Sequence, residues 1–236
     1  YCEMIGVPYS GPDPLAMASL SDRLQLFALL ERHGLSVPAV VDVTGASRDH
    51  GMPLLVHHRF QGDREPLHAA TGAALERALK QVLADGDTPL CTREPVGRRL
   101  RAIVLAGERT AAAPRVLPLL ERRSRRGGHR PAEGLTPAQR DAAENAAALA
   151  FAILRCRDFA RVDLAVTEEG VATIEAARAV DLFTPRGALA IAAAAAGIDY
   201  ATLVQSLLRP RGVNPEPFTL PALSARRPET RARGLS

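Results

Sequence analysis

The segment Arg161-Val-Asp163-Leu-Ala-Val-Thr-Glu-Glu-Gly170-Val-Ala-Thr-Ile-Glu175 holds the residues best placed to do chemistry. Charged and apolar residues alternate on either side of a Glu-Gly turn, the pattern of a hairpin with one buried face. A turn centred on Glu169 sets Asp163 opposite Glu175 and Ala165 opposite Thr173. Val162, Leu164, Val166, Ala172 and Ile174 then share the core face, and Arg161, Asp163, Thr173 and Glu175 share the other. Like charges about 5 Å apart across a ladder destabilise it unless a positive group lies between them. Mg²⁺ held jointly by carboxylates and nucleotide phosphates is one such group. Arg161 is the other, and it would make the pair a surface salt-bridge cluster of little energetic worth.

The elements that must carry this hairpin are legible on both sides of it. Apolar spacing predicts a helix over 21–33 with Gly34 as its C′ residue. A second helix follows at 71–85, where Leu75, Ala78, Leu79, Val82 and Leu83 form one stripe. Thr136-Pro137-Ala138-Gln139 reads as a capping box with proline at the first helical position, opening an Ala-rich helix to about Arg155. Two further helices are expected near 188–196 and 200–208. Short β-like runs occur at 37–43, 54–56, around Leu90 and at 100–105. Helices mixed with hairpin-like strands predict an α+β fold with a largely antiparallel sheet.

The 236 residues are 47% hydrophobic, enough for one sizeable domain or two small ones. No run of 18 apolar residues and no signal-peptide pattern occurs, so no membrane association is expected. Cys2, Cys91 and Cys156 have no pairing or zinc-type spacing, and the cytoplasm is the expected compartment. The net charge of +4 is localised: residues 121–130 and 209–236 carry +4 each, leaving −4 elsewhere. The first is rich in Arg and Gly and the second in Arg and Pro, and they read as a solvated loop and a disordered tail. Nucleic-acid binding is not expected, because interleaved aromatics and a reading module are absent. The chain opens with Tyr1, which leads us to expect residues upstream.

Several motifs in register resemble those of D-alanine–D-alanine ligases of the ATP-grasp superfamily. They are Gly6-Val-Pro-Tyr-Ser-Gly-Pro-Asp-Pro-Leu15, Ser21-Asp22-Arg23, Gly34-Leu-Ser-Val-Pro38, Pro131-Ala132, Arg161-Val-Asp163, Glu175 and Ala196-Gly-Ile-Asp-Tyr200 with Leu203. The likeness spans about residues 1–208. It implies the central and C-terminal ATP-grasp subdomains, two antiparallel sheets with flanking helices. The implied division is 1–35 (the end of an N-terminal subdomain and a linking helix), 36–110 (central subdomain), 111–208 (C-terminal subdomain with the carboxylate hairpin) and the basic tail 209–236. In such ligases ATP phosphorylates a carboxylate, and an amine attacks the acyl phosphate. The resemblance assigns Mg²⁺ to Asp163 and Glu175, and oxyanion stabilisation to Arg161, a preorganised charge of the kind that dominates such transition states.

Departures from the family pattern are equally specific. Its two phosphate-binding lysines correspond to Phe27 and His57, and Lys80 is the only lysine in the chain. Phosphoryl transfer depends heavily on such charges. The loop that should cover the phosphates reads Arg59-Phe-Gln-Gly62-Asp-Arg-Glu, with one glycine. Arg99 stands in place of a hinge glutamate, and Ala177 in place of the metal-binding asparagine. Arg23, Arg59, Arg64 and Arg98 are candidates to compensate, within guanidinium geometry. His57 contributes charge only below about pH 6.5 unless its pKa is raised, and the plainer reading of His57–His58 is a partly exposed strand end. ATP contacts are therefore expected at Arg23, His57, Arg59 and Gly62, with binding weak or lost. Three functions follow: a catalytically impaired ligase homologue acting as a binding or partner subunit, an active ligase with an arginine-based phosphate site, or a basic interaction module. Expected partners are a small amino-acid-like substrate or a protein, including a second copy of the chain.

Overall fold

The computed structural model describes residues 1–43, 51–60, 64–107, 113–122, 129–179 and 183–208. Near the N-terminus lie α1 (Cys2–Ile5), α2 (Pro14–Ser21) and α3 (Arg23–Arg32). Asp22 ends α2 and caps α3, its carboxylate accepting from the Leu24 N–H at 2.9 Å. Gly34 follows with a φ of 80°, the left-handed conformation that lets the chain leave the helix.

The smaller sheet has the order β2-β1-β3, from Leu67–Ala69, Leu54–His58 and Pro89–Arg93, with α4 (Gly72–Ala84) packed on one face. Leu54, Val56, Leu75, Ala78 and Val82 form the core between them. The expected strand at 37–43 is reduced to an isolated bridge between Val40 and Thr92. Backbone bonds Val41 N–H to Cys91 O and Arg93 N–H to Ala39 O, both 2.9 Å, hold this segment beside β3.

The larger sheet has six strands: β4 (Arg98–Leu105), β5 (Arg115–Val116), β6 (Leu120–Glu121), β7 (Arg130–Pro131), β8 (Phe159–Val166) and β9 (Ala172–Arg178). They run β7-β6-β4-β8-β9, with β5 also paired to β4. Every ladder in both sheets is antiparallel. The strand Arg98–Leu105 thus lies among C-terminal elements, although the sequence groups it with the central stretch 36–110.

One face of this sheet buries Leu100, Val104, Val162, Leu164 and Ile174 against α3 and α5 (Pro137–Ile153). The expected capping box is present: Thr136 accepts from the Gln139 N–H at 3.1 Å, and the Gln139 side chain accepts from the Thr136 N–H at 3.1 Å. At the other face, Ile103, Leu117, Leu120 and Phe159 pack on α6 (Ala188–Ala195) and α7 (Tyr200–Leu207). Among the described residues no single helix is long and apolar enough to cross a membrane.

The β8–β9 register departs from expectation at one point. Val166–Ala172, Ala165–Thr173 and Leu164–Ile174 face each other as the turn at Glu169 requires. A bulge then inserts one residue, so Asp163 faces Ala176 and Glu175 is displaced from direct opposition. Bulges of this kind shift one strand's alternation by a residue and bend it locally.

Candidate functional site

Arg23, His57, Arg161, Asp163 and Glu175 come together along one crevice, together with Arg101, Arg122 and Arg178. Its residues come from the start of α3, the middle strand of the small sheet, strands β4, β8 and β9 of the large sheet, and Arg122 just after β6. Alternation explains β8 and β9, since Val162, Leu164 and Ile174 take the core side and leave the carboxylates on the other.

Guanidiniums surround both carboxylates. Arg101 sits directly across the β4–β8 ladder from Asp163 and grips it with two hydrogen bonds, Nε to Oδ1 at 2.6 Å and Nη2 to Oδ2 at 3.0 Å. Such a fork is among the strongest neutral-pH contacts available to a carboxylate. Glu175 Oε2 accepts from Arg122 and forms an ion pair with Arg99. Arg122 also approaches Asp163 Oδ2 at 3.9 Å and reaches Glu65 at 3.6 Å. Burial alone would raise the Asp163 pKa, but the Arg101 bonds and the charges of Arg101, Arg161 and Arg122 hold it at about 2. Asp163 is ionised near neutrality despite its burial because arginines share it.

The neutralising groups are therefore mainly Arg99, Arg101 and Arg122, which sequence reasoning did not assign to the pair. Arg99 and Arg101 straddle Leu100 in an alternating strand, a signal that places both on the face opposite the core. Recognising it also requires knowing that β4 pairs with β8.

His57 and His58 are not a partly exposed strand end: they are 4% and 3% exposed, because β1 lies between β2 and β3. The His57 Nε2 is 2.9 Å from Thr92 Oγ1. Burial, with Arg23, Arg122 and Arg99 nearby, pushes its pKa well below the usual 6.5, so the imidazole is neutral at pH 7. It supplies no positive charge to a phosphate. His58 faces the other way, with Nε2 2.9 Å from Asp85 Oδ2, a carboxylate also paired with Arg64 at 2.6 Å.

Arg23 is buried, and its Nη1 donates to the Glu175 carbonyl at 2.8 Å. Arg59 turns elsewhere: its Nε and Nη2 hold the Asp22 carboxylate at 2.8 and 2.6 Å. Arg98, another candidate for phosphate, binds Glu121 through Nε at 2.8 Å. Gly62 and residues 123–128 of the arginine-rich loop lie outside the described residues. Phe27, where the resemblance expects a lysine, is 2% exposed in the main core.

Mg²⁺ does not fit this arrangement. Three of the four carboxylate oxygens are taken by guanidiniums, and among the described residues only Glu175 Oε1 has no hydrogen-bond partner. Among the described residues, moreover, no cluster of three or more His, Cys, Asp or Glu side chains could hold a metal. The open volume is about 50 Å³, room for a few waters. A nucleotide reaches these carboxylates only after the arginines move.

A family model for the D-ala D-ala ligase C-terminus matches residues 129–209. The D-alanine–D-alanine ligase of Desulforudis audaxviator is 29% identical over 235 residues, covering 88% of this chain and 74% of that protein. That of Moorella thermoacetica is 27% identical over 233 residues, covering 87% and 74%. Among solved structures, the Bacillus anthracis D-alanine–D-alanine ligase complexed with ATP superposes with a TM-score of 0.74 at 21% identity, over 89% of this chain and 72% of that one.

Proposed function

From the premise that this chain is a D-alanine–D-alanine ligase-like protein of the ATP-grasp fold, we propose that it is catalytically impaired and serves as a binding or partner subunit. One observation carries the reading: guanidiniums of Arg99, Arg101 and Arg122 occupy the carboxylate oxygens of Asp163 and Glu175 where the family pattern puts Mg²⁺. The burial of Phe27 and the neutrality of His57 support it, since neither supplies the charge that phosphoryl transfer requires. In this reading residues 1–35 end an N-terminal subdomain, 36–110 and 111–208 correspond to the two ATP-grasp subdomains, and 209–236 form the tail. The compartment is the cytoplasm. The partner is a small amino-acid-like molecule or a protein, a second copy of the chain included.

The test is incubation of the full-length protein with ATP, Mg²⁺ and D-alanine, followed by assay of ADP. No release above background is expected. Calorimetry should give a dissociation constant for ATP with Mg²⁺ no better than about 1 mM, or about −4 kcal/mol. Micromolar binding that disappears in the Asp163→Ala/Glu175→Ala double variant would instead overturn this reading and favour an active ligase. The facing arginines of the crevice favour that second reading, since guanidinium can clamp phosphate.

A further inference from the structure

Glu175 holds more than its own charge. Its Oε2 pairs with Arg99 and with Arg122, and each of those guanidiniums has a second acid on its outer side. Arg99 Nη2 donates to Glu94 Oε1 at 3.1 Å, and Glu94 Oε2 lies 3.2 Å from His68 Nε2. Arg122 Nη2 lies 3.6 Å from Glu65 Oε2. Two chains of charge therefore leave one buried carboxylate and end in one short segment, at His68 and at Glu65.

The inner and outer ends belong to different sheets. Glu175 lies on β9 and Arg99 on β4 of the six-stranded sheet, with Arg122 just after β6. Glu94 follows β3, His68 lies on β2 and Glu65 stands just before β2, all on the three-stranded side. Isolated exposed ion pairs contribute little, because two long side chains must be ordered to form each one and water screens it. Here the ordering is already done at the inner end. The Arg99 and Arg122 side chains are 25% and 16% exposed and are held by a carboxylate 6% exposed, so each outer acid meets a guanidinium fixed in place. Removing the buried carboxylate would strand both guanidiniums, which makes the inner end the costly one to break.

We infer that Glu175 anchors a two-armed latch, Glu175–Arg99–Glu94–His68 and Glu175–Arg122–Glu65, that fastens the β2 end of the small sheet to the large sheet. The latch rests on the impaired-ligase reading for the identity of the site, because its anchoring oxygen is one the family pattern gives to a metal. Anything that binds between the sheets must first break an arm. The outer acids Glu65 and Glu94, 49% and 37% exposed, are open to ions from solvent, so ionic strength controls how firmly the latch holds.

Hydrogen exchange on the full-length protein tests this in the wild type, in Glu65→Gln/Glu94→Gln and in Glu175→Gln, each at about 0.05 M and about 0.5 M KCl. Cutting both outer ends should speed exchange at Leu54–His58 and Leu67–Ala69 by about three- to fivefold, the change that two partly exposed bridges can produce. Phe159–Val166, in the middle of the large sheet, should be unchanged. Glu175→Gln should speed the same small-sheet amides by more than about tenfold, since it releases both arms at the inner end. Raised salt should reproduce the smaller change in the wild type and add little in either variant. Should Glu175→Gln fail to fold, the double variant at the partly exposed acids still decides. Unchanged exchange of the small sheet in that double variant, or equal acceleration of Phe159–Val166, would overturn the latch and leave the impaired-ligase reading standing. Release of ADP from ATP and D-alanine by a protein whose exchange behaves as expected would overturn the impaired-ligase reading alone.

Discussion

Phe27 stands where the family resemblance expects a phosphate-binding lysine, and it packs on the inner face of α3 with Leu26 and Leu30. Restoring a lysine there removes about 2 kcal/mol of apolar burial and forces an ammonium towards the core. Phe27→Lys should lower the melting temperature, and an unchanged melt would mean that the position faces a solvated site. Asp163 gives a second expectation, with a definite sign. Its carboxyl is held at about 2 in the folded chain against an ordinary 3.8, so its stabilisation is complete above the ordinary value and is lost as pH falls towards 2. That difference is worth roughly 2 kcal/mol. Denaturant midpoints should therefore fall between pH 4 and pH 2, and the fall should be shallower in Asp163→Asn; equal slopes in both proteins would remove Asp163 as the source. At this scale the sequence was readable where chemistry is local. Alternation alone places Asp163 and Glu175 on one face. It says nothing of Arg101, because that contact depends on β4 and β8 meeting across some sixty residues of chain.

Elements were the more legible level. The helices at 72–84 and 137–153 follow from stripes and caps written within a single turn, and the capping box appears with both of its hydrogen bonds. Short strands such as Leu67–Ala69 and Leu120–Glu121 carry too few residues to show a period, and only pairing defines them. The segment 37–43 shows the converse error. Its β-like composition is real, yet it reaches β3 through isolated backbone bonds and forms no strand. A connecting turn can be as constrained as the strands it joins. Gly97 has a φ of 117°, and a Cβ there would lie 2.4 Å from the Val166 carbonyl oxygen. The contact is with backbone at the end of β8, which cannot rotate away. Gly97→Ala should cost at least about 1–3 kcal/mol in chemical denaturation. A loss within about 0.5 kcal/mol would show that the β3–β4 turn relaxes.

At the scale of the molecule, three cores among the described residues share the work unequally. The largest joins α3 and α5 to the six-stranded sheet, a second lies on that sheet's other face, and a third sits under α4. β4 and β8 are inner strands with both faces covered, whereas the smaller sheet has three strands and one helix. Stability distributed in this way predicts sub-global opening of the smaller unit. Hydrogen exchange should show amides of Leu54–His58 exchanging well before those of Ala160–Val166, and simultaneous exchange would indicate a single cooperative unit. Asp22 connects the two units: it caps α3 and is held by Arg59 from the loop after β1. The fold class was readable from the sequence because helices and hairpin strands alternate throughout. How the smaller sheet meets the larger was not, since side chains from α3, β1, β4 and β9 converge only after packing.

The bulge in β9 can be seen as a change of reading frame. Before it, Ala172 and Ile174 point inward; after it, Ala177 and Ala179 do, so the inward set passes from even to odd positions. Ala176 takes the place opposite Asp163, and Glu175 is the residue left over in the register. Removing Ala176 would return the strand to a single frame without turning any apolar side chain outward. Glu175 would then come to lie directly across from Asp163, the pairing that uninterrupted alternation prescribes. Packing is thus indifferent to the additional residue, whereas electrostatics is not. The inserted position keeps two buried negative charges out of step and leaves room for guanidiniums to enter between them.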